Sequence, residues 1–213
     1  KLRSFLSLLG ITIGIFCIIA VKSSVYSLEN DIRNSFKQLG EDVIYVTKQP
    51  WMEDPSVNYW KYSRRPDPGY RDFKALDQQL KEGNIASIIF FPGFRTVKYQ
   101  DKIAEDIFLT VGSEHYGEIQ GLQYEKGRYF TPEEFRSGAD KVIIGSVMSE
   151  SLFGEAEPIG QYITFSGRKF QVVGVLKRKG KSLINIMDFD EAMLITLNCG
   201  RKFLNISDKS PMG

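Results

Sequence analysis

Near the start of the sequence lies the stretch Arg3-Ser-Phe-Leu-Ser-Leu-Leu-Gly-Ile-Thr-Ile-Gly-Ile-Phe-Cys-Ile-Ile-Ala-Val21, which carries no charged residue from Ser4 to Val21. As an α-helix these residues would be roughly 27 Å long, close to the thickness of a membrane's hydrocarbon core. A signal peptide has a shorter apolar region and ends in small residues, and Ala20-Val-Lys22 is a poor cleavage site. A helix buried in a soluble domain would have a polar face, which this stretch lacks. The stretch therefore predicts a transmembrane helix over residues 1–22.

The residues around this predicted span give weaker indications. Lys1 and Arg3 precede it and Lys22 comes directly after it, so the positive-inside rule places the N-terminal side in the cytoplasm. Gly10 and Gly14 form a G-x-x-x-G pair, which lets two membrane helices approach closely. Glycine is also common in membrane helices without such a role, and both interpretations of the pair stay open.

Apolar residues continue beyond the span at helical spacing. A narrow stripe on an otherwise polar helix is formed by Val25, Leu28, Ile32, Phe36 and Leu39. Gly40 is expected to end this helix. The span is therefore predicted to continue as a stalk outside the membrane. The stripe packs either on the chain's own external domain, which is the preferred interpretation, or on a partner helix.

The composition excludes some classes of protein. The 213 residues include 28 Lys and Arg against 26 Asp and Glu, spread along the chain, whereas a nucleic-acid platform concentrates its basic residues in one patch. We therefore expect no nucleic-acid partner. Cys17 lies inside the apolar run and Cys199 near the far end, and both are interpreted as free thiols. The chain has no initiator Met and ends in a polar string, so it is interpreted as a piece of a longer protein.

Residues 42–111, after the stalk, are predicted to form four strands and one helix. A helix is expected from Tyr70 to Glu82, ended by Gly83. Strands are expected at 42–47, 85–91, 94–99 and 107–111, with a loop over 48–69. The pair Glu105-Asp106 is interpreted as a solvated turn.

The second half has stronger local signals. Thr131-Pro-Glu-Glu134 has the composition of a capping box at a helix start, and Gly138 is expected to end that helix. Ser166-Gly167 predicts the two-residue turn of a β-hairpin, and Gly174 a bulge in its second strand. Further strands are predicted at 141–145 and 193–197, and a helix at 146–153. The fold class is α+β, with a β-rich second part.

No motif in the sequence argues for an enzyme. Gly174 to Ser182 resembles a phosphate-binding loop, but five residues separate its glycines where that motif requires four. His115 is the only histidine, and without a neighbouring cysteine it is interpreted as a surface residue. We expect no catalytic residue, no metal site and no cofactor in this chain.

An ordered set of short motifs resembles the permeases of MacB-like and FtsX-like ABC transporters. The run Gly121-Leu-Gln-Tyr-Glu-Lys-Gly-Arg-Tyr-Phe-Thr-Pro-Glu-Glu134 is similar to that family's "G-R-x-F-T-x-x-E" segment. It is succeeded in the family's order by 142–145, 152–154, Glu157-Pro-Ile-Gly160 and 170–176. Residues 3–14 resemble the family's first membrane helix, and 42–46 the strand after its stalk.

This resemblance implies a permease subunit of the bacterial inner membrane with an extracytoplasmic domain. It implies a membrane helix over 1–22, then a stalk and the first half of a membrane-proximal α+β subdomain over 23–104. A β-rich inserted subdomain would cover 105–200, and 201–213 would begin a truncated return segment. The resemblance also implies a homodimer or heterodimer of permeases, ATP bound by a separate ATPase domain or subunit, and a periplasmic adaptor or outer-membrane protein as further partners.

A second function, from another class, is also compatible with one span and one external domain. The chain would then be the ligand-binding ectodomain of a single-pass membrane sensor. The two hypotheses predict different sequences beyond residue 213: further hydrophobic spans for the permease, and one span with a signalling helix for the sensor.

Overall fold

The computed structural model describes residues 2–38, 43–48, 60–62, 64–66, 68–180 and 188–204, without the side chains of 2, 4, 31 and 33–38. The chain divides into two compact units. The first consists of Lys1–Glu41 and Lys181–Ile186, and the second of Asp42–Gly180 and Met187–Gly213. They are called the helix unit and the domain below.

The helix unit contains one uninterrupted α-helix, α1 (Leu2–Gln38), of 37 residues. The apolar run and the stripe beyond it as far as Phe36 therefore belong to a single helix. Leu39 and the predicted stop at Gly40 lie outside the described residues.

The domain combines short helices with one eight-stranded sheet. Its helices are α2 (Tyr70–Asp77), α3 (Tyr116–Ile119), α4 (Pro132–Ser137), α5 (Ser146–Phe153) and α6 (Leu197–Phe203). Its strands are β1 (Ile89–Phe90), β2 (Phe94–Tyr99), β3 (Lys102–Gly112), β4 (Tyr124–Gly127), β5 (Lys141–Ile144), β6 (Tyr162–Phe165), β7 (Arg168–Leu176) and β8 (Ala192–Thr196). A 3₁₀ turn, Phe189–Glu191, precedes β8. The α+β class and the strand-rich second part are confirmed.

The sheet curls on itself because β3 pairs at both of its sides. Its order is β1-β3-β2-β6-β7-β5-β8, and β8 pairs back onto β3 in parallel, with Phe108 opposite Ala192 and Gly112 opposite Thr196. The remaining strand, β4, pairs with β7. Closing a sheet in this way protects strand edges that would otherwise stay open.

Two apolar clusters lie on the two faces of this curled sheet. The larger includes Val97, Leu109, Ile163, Phe170 and Ile195, all of them fully buried. The smaller contains Tyr116, Phe130, Phe135, Ile143 and Leu194, among others. Alternate residues of β5 and β8 therefore serve opposite faces, as the period of two in a strand requires.

The stronger local signals of the second half are confirmed. Ser166 and Gly167, at φ 47° and 76°, form the two-residue turn between β6 and β7. A positive φ at both central residues is typical of the tight turns that join hairpin strands. The bulge at Gly174 is present as a register shift between β5 and β7, where Val142 faces Val172 but Ile143 faces Gly174.

The interpretation of Glu105-Asp106 as a solvated turn is wrong. Both residues lie inside β3, where the register with β2 shifts between Arg95 and Val97. Asp106 has φ 55°, so these residues form a β-bulge, in which an extra residue leaves the ladder and both side chains reach solvent. The predicted subdomain boundary between 104 and 105 falls within this continuous strand, and the division into two subdomains stays a prediction.

Three other predicted elements differ from the structure. Residues 43–47 belong to no strand, and Ile44 and Val46 are exposed, because no described strand offers them a ladder partner. Helix α2 ends at Asp77 instead of Glu82, since its last turn tightens when the Gln79 amide donates to Leu76. Strand β1 keeps only Ile89–Phe90, and the Ile88 amide before it donates instead to the Ser113 hydroxyl.

Candidate functional site

Helix α1 is apolar on all sides over most of its length. The segment from Phe5 to Asn30 is long and apolar enough to cross a membrane, since it contains an 18-residue window with mean hydropathy 2.3. All of its residues are exposed. Three hydroxyl groups, those of Ser7, Thr12 and Ser24, donate to carbonyls one turn earlier, as Ser7 does to Arg3 at 3.1 Å and Ser24 to Ala20 at 2.9 Å. Such bonds satisfy polar groups within the helix itself, which hydrocarbon surroundings require.

Gly10 and Gly14 lie on an open part of this helix. A Cβ atom added at either position would meet nothing within 4 Å. The structure thus leaves the surface of the pair available for another helix, and its role in helix packing stays a prediction.

The stalk stripe is described over three of its five residues. Val25, Leu28 and Ile32 are exposed on α1. The side chain of Phe36 and the whole of Leu39 lie outside the described part of the chain. Both interpretations of the stripe, packing on the chain's own domain and packing on a partner helix, therefore stay predictions.

The segment Gly127–Glu134, which carried the family resemblance, crosses the bulge of β7 at close range. Gly127 has φ 74°, and a Cβ on it would lie 2.2 Å from the Val173 carbonyl oxygen. A Cβ on Gly174 would lie 2.6 Å from the Arg128 carbonyl oxygen. Only glycine allows two backbones to approach so closely at this crossing.

The rest of the segment fixes the start of helix α4. The Thr131 hydroxyl accepts a hydrogen bond from the Glu134 amide, and the Glu134 carboxylate accepts one from the Thr131 amide at 2.8 Å. The predicted capping box is therefore present, and Gly138 ends the helix at φ 58°. The Arg128 guanidinium donates to both oxygens of Glu134. Hydrogen bonding by Arg128 is the main cause that lowers the pKa of Glu134 to about 2.

Aromatic rings anchor this segment to the domain. Phe130 and Phe135 are buried with their centroids 5.5 Å apart in an edge-to-face arrangement. The Tyr129 hydroxyl accepts a hydrogen bond from the Gly117 amide at 3.0 Å. Burial raises the pKa of the Tyr116 and Tyr129 phenols above the ordinary tyrosine value. The segment acts as a structural clamp, since the side chains of Arg128, Tyr129, Thr131 and Glu134 all form hydrogen bonds.

Helix α6 is a structural element that the sequence analysis missed. The Asn198 side-chain amide donates to the Phe135 carbonyl at 2.8 Å, and the Lys202 ammonium donates to the carbonyls of Ser137 and Gly138. These bonds satisfy carbonyls at the C-terminal end of α4. The signal that indicates α6 is Thr196, whose hydroxyl accepts from the Cys199 amide at the helix start.

The loop that resembles a phosphate-binding motif has its backbone amides occupied. The amides of Lys179 and Gly180 donate to the two carboxylate oxygens of Asp190 at 3.0 and 2.9 Å. Asp190 is itself buried. Lys181 and Ser182 lie outside the described residues. Because the amides that would bind a phosphate already bind a carboxylate, the described part of this loop is structural.

Two other side chains of reactive type, His115 and Cys199, have neighbours within the domain. The Nδ1 atom of His115 lies 3.4 Å from the Glu118 carboxylate on the surface. Cys199 is buried beside Asp140, and burial, with that carboxylate, raises the pKa of its thiol to about 12. Within the described ranges, no group of three or more His, Cys, Asp or Glu residues is placed to hold a metal ion.

Comparison with known sequences gives one family and a consistent set of relatives. The profile of MacB-like periplasmic core domains matches residues 4–207. The macrolide export ATP-binding/permease protein MacB of Campylobacter fetus is 28% identical over 84% of this chain and 26% of its own length. The protein of the same name from Wolinella succinogenes is 25% identical over 99% of this chain and 33% of its own. The chain thus spans about a quarter to a third of these curated relatives.

Solved structures share the fold. The extracellular domain of the noncanonic ABC-type transporter YknZ from Gram-positive bacteria superposes with a TM-score of 0.54 at 25% identity, covering 66% of this chain and 68% of that one. The periplasmic region of MacB from Actinobacillus actinomycetemcomitans gives a TM-score of 0.58 at 15% identity, covering 76% of this chain and 77% of its own.

Proposed function

The chain belongs to the family of MacB-like periplasmic core domains, and we propose that it is part of an ABC transporter permease in the bacterial inner membrane. In this proposal α1 crosses the membrane and the domain lies on its outer side. Residues Lys1 and Arg3 on the inner side and the long uncharged run after them support this orientation.

The length of α1 is the observation that supports a role in coupling the membrane to the domain. Its 37 residues extend over about 55 Å, whereas the hydrocarbon core of a membrane is about 30 Å thick. About 25 Å of the same helix therefore remains for the region outside the hydrocarbon core. An unbroken helix transmits displacement along its axis, since every backbone bond belongs to one hydrogen-bonded ladder. We propose that α1 couples movement at the membrane to the domain outside.

The energy for this movement is proposed to come from a partner. In the loop that resembles a phosphate-binding motif, the amides of Lys179 and Gly180 already bind the Asp190 carboxylate, which supports this proposal. Relatives are named as ATP-binding/permease proteins, so an ATP-binding domain or subunit is expected for this chain as well. Two permease copies, equal or different, would meet through membrane helices, with Gly10 and Gly14 as a proposed contact. A periplasmic adaptor or an outer-membrane protein is proposed as a further partner.

The substrate is proposed only from the names of relatives. Since they are called macrolide exporters, macrolides are the first compounds to test. The test is ATP hydrolysis and macrolide efflux by the complete protein with its ATP-binding component in sealed vesicles. We expect efflux that requires both ATP and an intact α1. Hydrolysis that proceeds unchanged when the permease is removed, together with no efflux of any compound, would overturn the proposal.

A further inference from the structure

A basic and aromatic segment lies in the domain before strand β1. Residues 60–74 read Trp-Lys-Tyr-Ser-Arg-Arg-Pro-Asp-Pro-Gly-Tyr-Arg-Asp-Phe-Lys. Five are basic and two acidic, a formal charge of +3, whereas the whole chain carries +2. The remaining residues together therefore carry a formal charge of about −1, that is +2 minus +3. Its basic side chains, called the basic face below, are Lys61, Arg64, Arg65, Arg71 and Lys74.

The first part of the basic face is built on a buried ring. Tyr62 is 6% exposed, and its ring centroid lies 5.4 Å from the Lys61 ammonium and 4.7 Å from the Arg65 guanidinium. The Arg65 amide donates to the Tyr62 carbonyl at 3.0 Å, which closes a turn. Lys61, Arg64 and Arg65 are exposed around this turn. Trp60, next to it, is 84% exposed.

The second part of the basic face lies on helix α2. Tyr70 and Phe73 pack against the larger apolar cluster, and Arg71 and Lys74 are exposed one turn apart on its outer side. The nearby Asp72 carboxylate accepts a hydrogen bond from the Gly69 amide at the helix start. Arg65 and Arg71 are six residues apart, so at most about 21 Å of chain separates them.

The charges of the basic face are not compensated within the described part of the chain. None of its five side chains forms an ion pair there. Trp and Tyr together with Lys and Arg are the side chains enriched where proteins meet membrane headgroups. Each such cation near an anionic lipid surface adds to the attraction between the two.

We propose that the basic face docks on the anionic headgroups of a lipid bilayer, with the indole of Trp60 at the level of the interface. Lys61, Arg64 and Arg65 bind phosphate oxygens in this arrangement, and Arg71 and Lys74 extend the contact. The proposal rests on the membrane insertion of α1 in the proposed function, which brings a bilayer within reach of the domain.

Tryptophan quenching in lipid vesicles tests this docking. The 213 residues include two tryptophans, so in a protein of these residues Trp51→Phe leaves Trp60 as the only indole. This protein is reconstituted into vesicles of brominated phosphatidylcholine with or without phosphatidylglycerol. We expect bromine to quench Trp60 in vesicles that contain phosphatidylglycerol, and added salt to relieve the quenching. Replacing Lys61, Arg64 and Arg65 by Gln should weaken docking roughly 100-fold. The matched control, Lys98, Lys169 and Lys177 to Gln, removes three exposed cations elsewhere on the domain and should leave the quenching unchanged.

The outcomes separate this inference from the proposed function. A chain that fails to float with vesicles after an alkaline wash shows that α1 is not inserted, and both proposals fail. A chain that floats while Trp60 stays unquenched overturns the docking alone, and points to an acidic protein partner for the basic face. Quenching that is equal in neutral vesicles, or equal in the two triple variants, also contradicts electrostatic docking.

Discussion

Arg128 and Glu134 are joined by two hydrogen bonds, from Nη1 to Oε2 at 2.8 Å and from Nη2 to Oε1 at 2.9 Å. They belong to the segment on which the family resemblance was based. Glu134 also closes the capping box with Thr131, so one carboxylate serves both the ion pair and the helix start. The motif therefore has a structural role: it holds the start of helix α4 against the segment that follows β4 and crosses β7.

Glu134→Gln should destabilise the domain in a pH-dependent way. The pKa of Glu134 is about 2 in the folded chain, below the value of about 4.3 in an unfolded chain. Its ionised form therefore adds stability above about pH 4.5, and this contribution is lost as the pH falls towards 2. We expect a loss of about 1–3 kcal/mol in the free energy of unfolding at pH 7, and a smaller loss at pH 3, by urea unfolding in detergent micelles.

The neighbouring carboxylate provides the control for this change. Glu133 is exposed, with its carboxylate 4.0 Å from Arg136, so Glu133→Gln should change the stability by less than about 0.5 kcal/mol. An equal loss for Glu134→Gln at both pH values would contradict the charge-based explanation of the clamp.

Gly174→Ala should destabilise the domain by more than about 2 kcal/mol, since the new methyl group would overlap the Arg128 carbonyl at 2.6 Å. Gly121→Ala is the comparison, because Gly121 has φ +55° but open space around it. Backbone strain alone should cost roughly 1 kcal/mol there. Thermal unfolding of both variants separates crowding from strain, and an equal or smaller loss at Gly174 would refute the close crossing.

Ile32→Asp with Phe36→Asp should uncouple ATP hydrolysis from transport while the domain stays folded. The two residues lie on the stalk stripe of α1, where charge would oppose packing on an apolar surface. Asn30→Asp with Asn34→Asp adds the same charges about 200° around the helix, and should leave coupling intact. Hydrolysis and efflux are measured together in vesicles. Normal efflux by the Ile32 and Phe36 variant would exclude the stripe as the coupling surface.

Cys199 should be nearly inert in the folded chain. Its side chain is fully buried and its thiol has a pKa of about 12, so roughly one molecule in ten thousand carries the reactive thiolate at pH 8. In a Cys17→Ser background, iodoacetamide should label Cys199 orders of magnitude more slowly in folded than in urea-unfolded protein. Labelling at similar rates in both states would show that α6 opens readily.

Short-range signals in the sequence predicted their elements well. The Thr131 capping box, the Ser166-Gly167 turn and the Gly174 bulge each depend on a few neighbouring residues, and each is present in the structure. Such features are decided by local backbone preferences and local hydrogen bonds, which a single sequence displays directly.

Features that need a distant partner were not predictable in the same way. The parallel pairing of β3 with β8 joins residues more than eighty positions apart, and no local pattern encodes it. The paired carboxylates Glu105-Asp106 indicate a solvated turn in the sequence, yet in the structure Asp106, at φ 55°, belongs to a bulge opposite strand β2. Residues 43–47 have strand-forming side chains, but a strand also requires a ladder partner.

The central claim is that α1 crosses the membrane and leaves the domain outside, and cysteine labelling tests it most directly. In a variant without Cys17 and Cys199, one cysteine is placed either at Lys1 or at exposed Lys169 of the domain. Intact spheroplasts are treated with a membrane-impermeant maleimide. We predict that the cysteine at 169 is labelled at once and that the cysteine at 1 is labelled only after lysis. Protection of position 169 until lysis, or loss of the N-terminal helix by cleavage, would contradict the account.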